Sequence, residues 1–258
     1  GMSALAVWDR ESNELWLARD RFGEKPLYFG RVGRTLVFGS ELKALGAVDG
    51  FSPEIDRNAV TDLLRWGCIP APLTIYDGVS KVRPGHVVRF DGAGRELEDL
   101  AYWSPVETAS EVTAGAERGE DAVDELEEIL QRTVATRMVS DVPVGAFLSG
   151  GIDSSTIVAM MGLSSTRPVE TFTVGFSEPA YDESGFAAAV ASHLGTDHHE
   201  LVVSPSEARA VIPLLPAMYD EPFADSSQIP TFLVSRMARR HVTVALAGDG
   251  GDELFGGY

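Results

Sequence analysis

A single cysteine, Cys68, stands in 258 residues. No internal disulfide is available to it, and the expectation is a reducing compartment with Cys68 as a buried structural thiol. Basic residues are scarce as well: 21 lysines and arginines face 39 aspartates and glutamates, for a net charge of −18. Without a basic surface to offset phosphate, nucleic acid and anionic membrane surfaces are excluded as partners. No apolar run approaches the length of a membrane span, and no basic-then-apolar leader precedes Ala4. Together these absences lead to the expectation of a soluble, cytoplasmic protein. What is present suits a folded one: 44% hydrophobic residues suffice for buried cores, and 9% aromatics do not belong to a disordered acidic tail.

The chain changes grammar partway along. Its first third consists of short β-type runs and turns, with "SALAVWD" and "ELWLARD" joined through a hairpin-like "RESN". Helices are expected at "ELKALGAV" and at "RNAVTDLLRWG", where Val60, Leu63 and Leu64 follow helical spacing and Gly67 is the stop. The turn-rich "IPAPLTIYDGVSKVRPGHVVRF" ends in an expected edge strand. Residues 104–119 are polar and small and read as a linker. Beyond it, Val123, Leu126, Ile129, Leu130, Val134 and Met138 lie on one face of an amphipathic helix. Near-continuous apolar runs then alternate with helical segments, the pattern of a parallel sheet buried on both faces. Ligands of such α/β sheets bind beyond the carboxyl ends of the strands.

Two glycine turns carry the chemistry. "FLSGGIDSS" places Ser149, Gly150 and Gly151 between a strand and a helix, where main-chain amides and the helix start form an anion nest. Ser149, Ser154 and Ser155 add hydroxyls. The loop lacks the lysine of a P-loop, the G-x-G-x-x-G of a dinucleotide fold, and the first glycine of a nucleophile elbow, where Phe147 stands. Asp153 would repel a phosphate unless a cation lay between them, so a bridging Mg²⁺ is expected; the competing reading is a plain helix N-terminal aspartate. The second turn, "AGDGGDELFGGY", carries Asp249, Asp252 and Glu253 after another strand. If both turns converge, Asp252 supplies a second carboxylate to the same Mg²⁺.

With "TFTVGF", "GTDHHE" and "DEPFADSS" between them, these motifs resemble the ATP pyrophosphatase loop and downstream motifs of the glutamine-hydrolysing asparagine synthetase family. The first third, from "AVWDRESNELWLARDRFGEKPLYFG" to "IPAPLTIYDGVSKVRPGH", is similar to the end of that family's glutaminase domain. The resemblance spans essentially the whole chain. It implies an α/β protein in which residues 1–103 are the C-terminal, β-rich part of a class II (N-terminal nucleophile type) glutamine amidotransferase domain. Residues 104–119 form the linker, and residues 120–258 are the N-terminal part of a parallel-sheet ATP pyrophosphatase domain. ATP would lie across Leu148, Ser149, Gly150, Gly151, Asp153, Ser154 and Ser155, with Val174 near the adenine and Ala247-Gly248 on the other side. Asp153 and Asp252 would hold Mg²⁺, and Asp249 stands where the family often has glutamate, a residue linked to proton handling. Ala247 replaces a common serine. The implied reaction joins aspartate and glutamine-derived ammonia through a β-aspartyl-AMP, releasing AMP and pyrophosphate. The missing loop lysine follows, because the bond broken is α–β.

Other features stay open. Asp225, Ser226 and Ser227 are acceptor-site candidates or a helix-capping turn. His198-His199-Glu200 invites a metal reading, but neighbours on a strand point to opposite faces and the stretch lacks ligand spacing. Lys25 and Arg21 either touch another domain or solvate a turn. The family's glutaminase nucleophile is an N-terminal cysteine, and Gly1-Met2 offers none. The expectation is therefore a fragment lacking both ends, without glutaminase activity and impaired in amide synthesis, with a homodimer left open for the full-length protein. The alternatives are a related amidotransferase or cyclase acting on another carboxylate, and a non-catalytic nucleotide-binding module.

Overall fold

The computed structural model describes residues 1–112, 120–178 and 182–257. The chain divides into two compact units, Gly1–Ala116 with Pro216–Asp225, and Glu117–Leu215 with Ser226–Tyr258.

The first unit is built from antiparallel strands. β1 (Ala4–Asp9) and β2 (Glu14–Arg19) form the hairpin, turning at Asn13 with φ of 56°. β3 (Tyr28–Val32) and β4 (Thr35–Gly39) form a second, followed by α1 (Leu42–Gly46) and α2 (Arg57–Trp66). β5 (Val79–Lys81) joins that sheet in the order β4-β3-β5. β6 (His86–Asp91) and β7 (Glu96–Ala101) complete the first sheet as β1-β2-β6-β7. β6 is thus an interior strand, not an edge: its Val88 and Phe90 alternate into a core with Leu17, Leu27 and Val82. The edges are β1 and β7, and β7 is exposed at every position and too charged to announce itself by hydrophobic alternation.

Asp56 caps α2 by accepting a hydrogen bond from the Asn58 amide at 2.7 Å, and Gly67 ends it in the left-handed region at φ of 74°. The stripe expected on this helix is only partly covered, since Ala59 is its buried residue and Leu64 is 84% exposed. Cys68 is exposed, against the buried thiol expected; it follows the helix-ending glycine, in a surface turn. The stretch read as a linker begins with a helix, α3 (Pro105–Val112), started by proline at its first position; residues 113–119 lie outside the described residues.

The 216–225 stretch is bound into this unit by polar contacts. The Glu221 carboxylate pairs with Lys81 Nζ at 2.5 Å and accepts from the Ile75 amide at 2.7 Å. Asp220 accepts from the Leu42 amide at 2.7 Å, at the start of α1, and lies 3.5 Å from Lys43 Nζ. The Ala224 amide donates to the Gly67 carbonyl at 2.7 Å.

The second unit starts with α4 (Glu120–Arg137) and then alternates: β8 (Val144–Phe147), α5 (Ile152–Ser164), β9 (Glu170–Phe176), α6 (Ser184–Leu194), β10 (Asp197–Val203). After α7 (Pro205–Val211), capped by a reciprocal Ser204–Glu207 box, α8 (Leu215–Met218) leads out of this unit into the 216–225 stretch; α9 (Gln228–Ala238), β11 (Val244–Leu246) and α10 (Gly251–Phe255) then complete it. The four strands pair in parallel in the order β10-β9-β8-β11. Strand periodicity splits the core in two. Ala146 and Leu148 pack with Val158, Met161, Ala187 and Ala191, whereas Phe147 packs with Phe172, Val234 and Ala238. Helices on both faces explain the unbroken apolar strands. α4 differs from its expected face: Val134 is buried, but Val123 and Ile129 are 65% and 42% exposed, because only the last turns of the helix reach the core.

Candidate functional site

The glycine loop sits at the carboxyl end of β8, where Leu148 is buried and its amide donates to the Phe172 carbonyl at 3.0 Å. Gly150 is the position the loop depends on. Its φ is 82°, and a Cβ there would lie 2.7 Å from the Ala187 nitrogen and the Phe186 carbonyl carbon. Only glycine lets the loop lie against the first turn of α6. Serine hydroxyls engage the amides around it. The Ser149 amide donates to Ser154 Oγ at 3.2 Å, the Gly151 amide to Ser149 Oγ at 3.3 Å, and the two hydroxyls are 3.0 Å apart. Backbone amides and hydroxyls gathered in this way at a strand–helix turn can accept anionic partners. Ser155 Oγ is buried without a hydrogen-bond partner, and Ile152 and Phe186 are 86% and 70% exposed.

Asp153 occupies the first turn of α5 and is half-buried. Its side chain fills the space that a Cβ on Gly251 would need, and its Cβ lies 2.9 Å from the corresponding point on Gly248. The two glycine turns therefore meet, with Asp153 between them. Gly250, at φ of 90°, turns the chain after β11 so that the Gly251–Phe255 helix can begin. Asp252 behaves differently: its carboxylate lies against Gly257, whose amide bonds to the Asp252 carbonyl at 3.0 Å. Asp249 and Asp252 are exposed, and the three aspartates do not gather within 4.8 Å as a ready-made cluster.

Of the remaining candidates, Ala247 and Gly248 are half-buried in the second turn. Val174 is half-buried on the α9 face of β9, packed against the Phe172 cluster. Asp225 falls in the first unit, and Ser226 and Ser227 in the second. Ser227 holds the N-cap position of α9 without a side-chain capping bond, so that part of the capping reading does not hold. Asp182 had no signal in the sequence, yet it braces the start of α6. It accepts from the Ser184 amide at 3.1 Å and the Phe176 amide at 3.3 Å, and the bonds from Ser184 hold its carboxyl below the usual range. His198 points away from its neighbour, with Nδ1 2.9 Å from Thr171 Oγ1 and its pKa pushed down by burial.

Comparison with known proteins identifies the family. The family profile described as Asparagine synthase matches residues 125–258, and that of a Glutamine amidotransferase domain matches residues 1–103. The chain belongs to the glutamine-hydrolysing asparagine synthetase family. It is 38% identical to putative asparagine synthetase [glutamine-hydrolyzing] 2 of Methanocaldococcus jannaschii, over all of this chain and 50% of that protein. It is 37% identical to asparagine synthetase [glutamine-hydrolyzing] 1 of Bacillus subtilis, over all of this chain and 40% of that protein. A third relative, 33% identical over all of this chain and 40% of its own length, is the Amidase chry2 of Gibberella zeae. The chain thus spans half or less of the length of these relatives.

Proposed function

We propose that the paired turns of the second unit bind ATP with Mg²⁺, within a protein that makes asparagine from aspartate and glutamine-derived ammonia. One observation carries this reading: the Asp153 side chain lies directly over the Gly248–Gly251 backbone, so that two acidic glycine turns face one space. The residues fit the group. Gly150 lets the loop close against α6 and Gly251 admits the Asp153 carboxylate, the loop amides and the hydroxyls of Ser149 and Ser154 are donors suited to phosphate oxygens, and Ser155 Oγ is buried without a partner. Mg²⁺ would be held by Asp153 and, after a swing of its exposed side chain, Asp252; it would neutralise charge on the phosphates.

The chemistry is an adenylation followed by an amination. An aspartate β-carboxylate oxygen attacks the α-phosphorus, the α–β bridge bond breaks, and pyrophosphate leaves with its electron pair. The loop amides and hydroxyls stabilise that leaving group, which is the largest contribution expected of a fixed polar site. Ammonia then attacks the carbonyl of the β-aspartyl-AMP, AMP leaves, and the nitrogen loses a proton, for which Asp249 or a water is the acceptor. Val174 and Ala247 flank the nucleotide.

Calorimetry of ATP binding with and without Mg²⁺, on the chain and on Asp153→Ala, tests the site. Mg²⁺-dependent binding that the variant loses supports it. Binding indifferent to both Mg²⁺ and Asp153 overturns it in favour of a non-catalytic nucleotide module. A second reading, an acceptor carboxylate other than aspartate, is favoured by the 33% identity to a protein described as an amidase. Pyrophosphate release by the full-length protein across a series of carboxylates separates the two.

A further inference from the structure

At the opposite, amino-terminal edge of the parallel sheet, strand register assembles a second set of donors. Glu170 opens β9 and Asp197 opens β10, paired with each other; two residues on, Phe172 pairs with His199. The period of two puts all four on one face of the sheet, the face that α9 covers through Val234 and Ala238. His241, three residues past the end of α9, completes the group.

His199 is held in place from two sides. Its ring stacks on the fully buried Phe172, with centroids 5.2 Å apart and planes at 15°. Its Nε2 lies 2.6 Å from Glu170 Oε2 and 3.9 Å from Asp197 Oδ1. The His241 ring is 4.0 Å from the His199 ring, and one donor atom from each of Glu170, His199 and His241 lies within 4.8 Å of the others. Among the described residues, no other group of three meets that condition. We propose that Glu170, His199 and His241 hold a borderline divalent ion of the Zn²⁺ type, with Asp197 or water in the fourth position.

Two imidazoles and a carboxylate are a donor set that zinc, cobalt and nickel accept and that Mg²⁺ does not favour. Tetrahedral zinc with bonds of about 2.1 Å separates its ligand atoms by about 3.4 Å. The Glu170–His199 pair must then open by under an ångström as the metal replaces their shared proton, while exposed His241 rotates inward. Such an ion would clip β9, β10 and the α9–β11 connection together, away from the nucleotide turns at the carboxyl ends of the strands. The residues are 29 and 42 positions apart along the chain, a spacing that no short motif records.

The test is Zn²⁺ titration of the tag-free chain after chelator treatment, followed by calorimetry, thermal melting and the visible absorption of a Co²⁺-loaded sample. One ion per chain is expected, with a rise in Tm and a tetrahedral Co²⁺ spectrum. His241→Ala, a change at an exposed position, should fold normally without metal and weaken Zn²⁺ binding by about a hundredfold or more; Glu170→Gln should do the same. Asp153→Ala should bind Zn²⁺ as the unaltered chain does. Zn²⁺ binding that is absent, unchanged in His241→Ala, or lost in Asp153→Ala overturns the proposal.

Discussion

The Asp153 carboxylate and the Gly251 backbone share one space: a methyl group on Gly251 would coincide with the Asp153 side chain. Gly251→Ala should therefore displace the carboxylate rather than merely stiffen the turn. The expected result is loss of Mg²⁺-dependent ATP binding, at least tenfold by calorimetry, with a stability cost of about 1–3 kcal/mol for overpacking. Binding that survives intact would mean that Asp153 is not positioned by this contact.

Glu221 and Lys81 are each about nine-tenths covered, at 12% and 13% side-chain exposure. Glu221→Gln removes the negative charge opposite the Lys81 ammonium, which also donates to the Ile69 carbonyl at 2.6 Å. A loss of about 3 kcal/mol is expected on urea unfolding of the first unit, because the uncompensated charge costs more than the pair contributed. Combining it with Lys81→Met should recover much of that loss, and a double-mutant cycle measures the coupling.

Tyr28 is buried, and burial together with the nearby Glu221 and Asp220 carboxylates pushes its phenol up to about 12 from the usual 10.0. The folded state thus keeps the proton where the unfolded chain gives it up. Stability from this source is complete below pH 10 and drains away as the pH rises towards 12, by about 2–3 kcal/mol. Unfolding free energies between pH 9 and 12 should fall more steeply for the unaltered chain than for Tyr28→Phe.

Cys68 is exposed after Gly67. A chromogenic thiol reagent should titrate one thiol per chain without denaturant, and the far-ultraviolet circular dichroism should not change. Reaction only after unfolding would place the thiol in the interior instead.

The sequence was most legible where local physics and topology agree. Continuous apolar strands between helices announce a sheet covered on both faces, and glycine pairs after strands announce the turns at its carboxyl edge. Gly150 was readable because no other residue tolerates both its φ of 82° and the approach of α6. β7 was not readable: its exposed ELEDLA carries no alternation and is a strand only because β6 pairs with it. α4 looked amphipathic throughout, yet periodicity does not tell how much of a helix has a partner. Asp182, Glu170 and His241 were silent for a further reason, since each acts through a neighbour that only the folded chain supplies.

The residues 216–225 belong to the first unit although 99 residues, 117–215, separate them from its other part. A gene cut cleanly between the two family matches would leave that unit without Glu221 opposite Lys81 and without Asp220 at the start of α1. The boundary a geneticist would draw along the sequence is therefore not the boundary at which the protein could be divided. Recombination or shuffling that exchanged either half for that of a distant relative would have to carry this ten-residue stretch with the half it serves.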